Sequence, residues 1–76
     1  MVDIYTIMLL GYEVSQKKRV NLGVYTLKFH RKKGKTPEDY LYIVTLLKEG
    51  KVVESGIFGD YQNAVIYAGQ IFMRFR

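Results

Sequence analysis

The chain has 76 residues, so residues 1–76 can form one domain at most. A domain this short buries only about 60% of the surface that its unfolded chain exposes, so its stability is marginal without further burial. A composition of 49% hydrophobic and 25% charged residues is globular, and it excludes a disordered or collagen-like chain. The absence of cysteine excludes disulfides and thiolate metal ligands as sources of extra stability.

The start of the chain and its apolar runs bear on where the protein resides. The first charge, Asp3, is negative, whereas a secretory signal begins with positive charge. The longest apolar runs, Ile7–Tyr12 and Leu41–Leu47, are far shorter than the roughly 20 residues of a membrane span. We therefore expect a cytoplasmic protein with no membrane partner.

Four segments have the Val, Ile, Tyr, Phe and Thr content that is typical of strands. They are Asp3–Val14, Val20–Arg31, Tyr40–Lys48 and Lys51–Phe58. Glu49-Gly50 is predicted to form a tight turn between the last two, because Gly50 tolerates the positive φ that such turns need. The segment 34–39 around the sole proline, Pro37, is predicted to be a loop.

Glycines within the predicted strands indicate a bulge or a close backbone approach. They are Gly11, Gly23 and Gly56.

The end of the chain predicts a helix that starts after Asp60, a residue type favoured as an N-cap. Apolar residues then follow at helical spacing and predict one buried stripe: Tyr61, Ala64, Val65, Ala68, Ile71, Phe72 and Phe75. The predicted fold class is therefore α+β, a four-stranded antiparallel meander (β-β-β-β) with one C-terminal amphipathic helix packed on one face.

The predicted sheet is apolar on both faces, and one helix covers only one of them. In the third strand, Tyr42 and Val44 lie opposite Leu41 and Ile43. Because burial of one Leu or Ile contributes about 1.5–3 kcal/mol, we expect the second face to be covered. We predict a homodimer, formed through the open sheet face or through a second helix stripe of Ile66, Gly69 and Met73. The alternative is a monomer whose first strand and loops cover that face.

The register of the last hairpin stays open at this point. A two-residue turn would place Glu54 opposite Thr45. A three-residue turn with a bulge would shift the pairing by one and reverse the faces.

Positive charge is concentrated in one segment. Residues 15–35 contain eight of the 12 basic residues and no acidic residue, or +8, while the rest of the chain, with four basic and 7 acidic residues, carries −3. The candidate nucleic-acid-binding residues are Lys17, Lys18, Arg19, Lys28, Arg31, Lys32, Lys33 and Lys35. In the predicted meander the clusters 17–19 and 31–35 lie at opposite ends of the second strand, on the order of 35 Å apart at about 3.3 Å per residue.

That spacing matches the repeat of a duplex groove, about 34 Å, so the two clusters would hold phosphates on either side of it. The bland alternative is a pair of solvated loop tips that keep a small protein soluble. Tyr25, Leu27 and Phe29 within this segment are predicted to be a core-facing row, in preference to a base-stacking platform.

Nothing in the sequence indicates an enzyme. His30 is the only histidine, and Ser15 and Ser55, predicted in a loop and a strand, have no recognisable triad around them. We expect His30 to be a surface residue, and we expect no cofactor and no metal.

The last third of the chain, a hairpin followed by Gly56-Ile57-Phe58-Gly59-Asp60 and a helix with Ala64 at its second turn, has a common layout. It resembles the hairpin-plus-helix end of arm-type DNA-binding domains in phage-style recombinases, and also many small phage and archaeal-virus proteins. The resemblance is one of fold.

Two functions compete. The first is a small basic nucleic-acid-binding protein that grips the phosphate backbone of DNA or RNA through its basic hairpin loops. The second is a viral or mobile-element accessory or inhibitor protein that binds a partner protein with an acidic surface.

Overall fold

The computed structural model describes residues 3–36 and 39–75. Their elements, in chain order, are α1 (Ile4–Lys17), β1 (Arg19–Leu22), β2 (Tyr25–Lys33), β3 (Tyr40–Lys48), β4 (Lys51–Phe58) and α2 (Tyr61–Phe75). The strands form one antiparallel sheet in the order β1-β2-β3-β4. The predicted α+β meander with a C-terminal helix is confirmed, and Pro37 of the predicted loop lies outside the described residues.

The first predicted strand is wrong, because Asp3–Val14 is mostly the helix α1. Asp3 caps this helix by accepting hydrogen bonds from the Thr6 backbone N–H at 2.9 Å and from the Thr6 hydroxyl at 3.1 Å. These bonds hold the pKa of Asp3 below its usual value, so the cap stays charged at neutral pH. The β-branched and aromatic residues that suggested a strand are tolerated here because α1 packs against α2.

The second predicted strand, Val20–Arg31, consists of two strands joined by a turn. Gly23 has a φ of +69° and lies in the turn between β1 and β2, not inside a strand. The hairpin pairs Leu22 with Tyr25 and Arg19 with Lys28. β1 is therefore only four residues long and accompanies only the first half of β2.

The core lies between the two helices and one face of the sheet, which we call the helix face. The buried apolar residues are Val14 of α1, Leu27 and Phe29 of β2, Val44 and Leu46 of β3, and Ala64, Val65, Ala68 and Ile71 of α2. The predicted stripe of α2 is thus confirmed, as is the core-facing row in β2. Asp60 caps α2 by accepting the Gln62 N–H at 3.2 Å.

The last hairpin combines features of both registers left open by the sequence. Its turn has two residues, Glu49 and Gly50, with φ values of 51° and 85°. A bulge then shifts the pairing, so Glu54 lies opposite Leu46 and Thr45 pairs with Ser55. The shift turns Glu54 to the helix face, where its carboxylate forms an ion pair with Arg74 of α2.

The two helices are antiparallel and unusually close. A Cβ atom added at Gly69 would lie 2.0 Å from the Ile7 carbonyl oxygen, and one added at Gly11 would lie 1.9 Å from that of Val65. One further turn along, the Ser15 and Tyr61 hydroxyls are hydrogen bonded at 2.7 Å. Contacts thus recur every four residues on both helices, as expected of facing rows.

This contact corrects one part of the predicted dimer stripe of Ile66, Gly69 and Met73. Gly69 is buried against α1 of its own chain. The close helix approach that offsets the cost of a mid-helix glycine is therefore made within one chain, so Gly69 is not available to a second copy.

We expect Gly69→Ala to lower the free energy of unfolding by about 1–3 kcal/mol, because the added methyl group overlaps the α1 backbone. The higher helix propensity of alanine alone would raise the free energy of unfolding by about 1 kcal/mol. The sign of the measured change therefore distinguishes overlap with α1 from helix propensity. Gly59→Ala, where an added Cβ meets nothing within 4 Å, is the matched control. Urea unfolding of both variants measures the effect, and a stabilised Gly69→Ala protein would contradict the packing.

Glu49→Asn is expected to raise the free energy of unfolding by about 1 kcal/mol. Glu49 adopts a left-handed conformation, with a φ of 51°, that costs an ordinary residue roughly this amount. Asn-Gly is the preferred pair for such two-residue turns. A thermal unfolding midpoint at or below that of the wild type would show that the turn is not strained.

Candidate nucleic-acid interface

The two basic clusters that the sequence placed at opposite ends of a strand meet in the structure. Because β1 folds back on β2 at Gly23, Arg19 is the cross-strand partner of Lys28. Lys18 lies one step further along, where its carbonyl oxygen accepts the Phe29 N–H at 3.0 Å. The predicted separation on the order of 35 Å is therefore wrong, because the second predicted strand, Val20–Arg31, is a hairpin that turns at Gly23.

Strand alternation distributes these charges over both faces of the sheet. Lys28, His30 and Lys32 lie on the face away from the helices, the open face, because Leu27 and Phe29 between them are buried in the core. Arg31 lies on the helix face opposite Tyr42, beyond the buried core residues. Positive charge thus lies on both faces of the sheet beside its β1 edge.

We call this region the basic surface. Its members are Lys18, Arg19, Lys28, His30, Arg31, Lys32 and Lys33, all exposed.

The same edge also presents backbone donors. β1 pairs with β2 only as far as Lys28, and within the described residues no strand continues this pairing along 30–33. The Phe29 N–H points to the β1 side, so by alternation the N–H groups of Arg31 and Lys33 point to the same open edge. Such donors, flanked by cationic side chains, suit phosphate oxygens.

Two predicted members lie beside the basic surface and have acidic neighbours. Lys17 forms an ion pair with Glu13 at 2.9 Å on α1. Lys35 lies in the loop after β2 and lines a shallow depression together with Asp39. By contrast, within residues 3–36 and 39–75 no member of the basic surface forms an ion pair with an acidic side chain. No acidic side chain among the described residues therefore neutralises its charge.

A pocket of about 370 Å³ opens on the helix face beside the basic surface. It lies where the end of α1 and the start of α2 meet β2 and β3, and its lining residues are Ser15, Lys18, Phe29, His30, Arg31, Tyr42 and Tyr61. Its aromatic residues pack at steep angles, with the Tyr42 and Tyr61 rings 5.3 Å apart at 67°. None of the described residues that line it is acidic.

Two cationic residues, Lys18 and Arg31, line this pocket. The Arg31 guanidinium lies 4.5 Å from the centroid of the Tyr40 ring, a cation–π contact that orients it. Lys18 ends α1 in the left-handed conformation, with a φ of 65°. Glycine is the usual residue at such a helix end, so a lysine here carries backbone strain.

The open face divides into two halves. The β1–β2 half is basic, whereas the β3–β4 half exposes apolar side chains: Leu41 at 41%, Val52 at 61%, Val53 at 53% and Ile57 at 65%. The register confirms that β3 is apolar on both faces, since Tyr42, Val44 and Leu46 lie on the helix face and Leu41, Ile43 and Leu47 on the open face. Both helices cover the same face, so α1 does not relieve this exposure.

Sequence reasoning missed the pocket because it depends on α1. Ser15, predicted in a loop, lies in the last turn of α1, and Tyr61 belongs to the predicted buried stripe of the last helix. The only sequence signal for α1 was the helical spacing of four residues after a capping Asp3: Ile4, Ile7, Met8 and Gly11.

Within residues 3–36 and 39–75, His, Asp and Glu side chains form no group of three that could hold a metal ion. Neither described helix has the length and hydropathy of a membrane-spanning segment.

Comparison with known proteins adds no relative. The chain matches no protein-family model, no curated protein and no solved structure. The resemblance of its last third to arm-type DNA-binding domains therefore stays a sequence-based expectation, and functional inference depends on the surface itself.

Proposed function

We propose that this protein binds nucleic acid by contacting the phosphate backbone through the basic surface. The observation that carries the proposal is the convergence of the two basic clusters into one acid-poor patch around the β1–β2 edge. Lys18 and Arg31, one from each predicted cluster, line the same pocket, and Arg19 pairs with Lys28 beside them. Concentrated lysine and arginine release counterions from a phosphate backbone, and this release supplies affinity without sequence readout.

The shape of the patch supports a strand lying along the edge of the sheet. The molecule measures 37 × 30 × 18 Å, so this edge spans only a few nucleotides. Side chains on both faces and the N–H groups of Arg31 and Lys33 between them would surround a phosphate chain on three sides. The same charges would also protect an unpaired strand edge from aggregation. Experiment must distinguish this protective role from nucleic-acid binding.

The test is a pair of double variants with the same change in charge. We expect Lys28→Glu with Lys32→Glu to lower affinity at least tenfold and to reduce the slope of log affinity against log salt by about 2. The control is Lys48→Glu with Lys51→Glu, cross-strand partners at the opposite end of the sheet. We expect the control to change affinity by less than about threefold, mainly through long-range charge.

Fluorescence anisotropy with labelled single-stranded DNA, duplex DNA and RNA over a salt series gives both quantities. Equal losses in the two double variants would show that net charge alone acts. Affinity independent of salt in the wild type would overturn the proposal and favour an acidic partner protein, the alternative function.

We also propose that the protein forms a homodimer through the β3–β4 half of the open face. The exposed Val52, Val53 and Ile57 support this, because small domains gain most from further apolar burial. Like charges keep the basic half of the open face out of such a contact, so the basic surface of each copy stays accessible.

Sedimentation equilibrium at micromolar concentration is expected to give twice the 8.9 kDa chain mass. Ile57→Lys, at a position 65% exposed, should give the single-chain mass with an unchanged circular dichroism spectrum. A wild-type protein that sediments as a monomer would refute the dimer.

A further inference from the structure

The pocket beside the basic surface has the chemistry of a site for one nucleotide. Its rim is cationic, its walls are aromatic and its floor is polar, whereas the basic surface around it holds only charges and backbone donors. A volume of about 370 Å³ is that of a small-molecule site. These properties are independent of the charges that carry the proposed function, apart from the two cations at the rim.

The hydrogen bonds of the floor define what a ligand must offer. Ser15 Oγ donates its single proton to the Tyr12 carbonyl at 2.9 Å. The Tyr61 hydroxyl therefore donates to Ser15 across their 2.7 Å contact. Both hydroxyl oxygens are left with lone pairs and no proton to give, so the floor accepts N–H donors such as those of a nucleobase.

The walls provide rings on which a base can stack. Tyr42 and Tyr61 are both half-buried and meet edge to face, and Phe29 meets Tyr61 at 75°. Tyr61 also packs against Tyr12, and Tyr42 against Phe29. Both tyrosines nevertheless line the pocket and are only half-buried, so part of each side chain is exposed to a flat ligand. Stacking of bases on such rings is the usual source of affinity for unpaired nucleotides.

Lys18 and Arg31 add two cationic residues to the lining of the pocket. Arg31 is held over Tyr40, and Lys18 keeps a strained backbone conformation that glycine would adopt at no cost. Backbone strain retained beside a pocket indicates a role for the Lys18 side chain there.

We propose that this pocket binds one unpaired nucleotide of a strand held on the basic surface. The base stacks against Tyr42 and Tyr61 and donates to the Ser15–Tyr61 pair, while Lys18 and Arg31 bind its phosphate. This inference rests on the proposed function and makes it specific, because a paired base cannot enter the pocket. The protein therefore prefers single strands to duplex.

The first test compares Tyr42→Leu with Tyr42→Phe in anisotropy titrations of single-stranded and duplex oligonucleotides. Tyr42→Leu should weaken single-strand binding about tenfold and leave duplex binding and the salt slope unchanged. Tyr42→Phe should bind as the wild type does, because it keeps the ring. Tyr5→Leu, on an exposed tyrosine outside the pocket, is the control.

The outcomes separate the two proposals. Absence of any binding by the wild type would overturn both. Salt-dependent binding that Tyr42→Leu weakens equally for single strands and duplex, or not at all, would overturn the pocket alone. A further titration uses adenosine monophosphate. If its affinity equals that of the oligonucleotide, the pocket binds a free nucleotide and not a strand, and the proposal is overturned.

A second variant cannot lose binding through unfolding. Lys18→Gly removes the rim cation and relieves the positive φ, so its melting temperature should not fall. We expect at least a threefold loss of single-strand affinity, as for one charge-assisted contact. Glu49→Gly relieves the same kind of strain at the far end of the sheet and should not weaken binding. Full affinity in Lys18→Gly would overturn the role of the rim.

Discussion

The close contact between α1 and α2 is the constraint on which the rest of the structure depends. Gly11 and Gly69 each lie against a backbone carbonyl of the other helix, so no larger residue fits at either position. The contact places both helices on one face of the sheet and fixes their register, with Ile7 opposite Gly69 and Ser15 opposite Tyr61. Close packing of this kind is sensitive to a single methylene group, which makes the register specific.

From that register follows the arrangement of the basic surface. The end of α1 is brought to β2, where the Lys18 carbonyl bonds the Phe29 N–H. The chain then turns back at Gly23, so β1 is short and, among the described residues, the basic end of β2 pairs only with β3 and has no partner on its β1 side. Convergent charge, open backbone donors and the pocket are thus consequences of one helix pair and not separate features.

Local patterns predicted the second half of the chain well and the first half poorly. The stripe of α2, its Asp60 cap and the Glu49-Gly50 turn each depend on short-range chemistry that the sequence displays. The segment 4–17 satisfies strand propensity and helical spacing at once, and only its contact with α2, remote in sequence, decides between them. The bulge that turns Glu54 towards Arg74 likewise has no local signature. Because charge placement followed from the second predicted strand, reading the β1–β2 hairpin as one strand moved a whole cluster to the wrong end of the sheet.

The helix contact joins residues near the two ends of the chain, whereas the strands of the meander are local neighbours. Contacts between distant residues carry the largest loop-closure cost and are the easiest to lose in a partial opening. Loss of this contact would remove Lys18 and Ser15 from the proposed site together, while β2, β3 and β4 would keep their pairing. The proposed affinity would then be scaled by the fraction of molecules with α1 docked. Substitutions at Gly11 and Gly69 would thus change the proposed binding from positions outside the pocket.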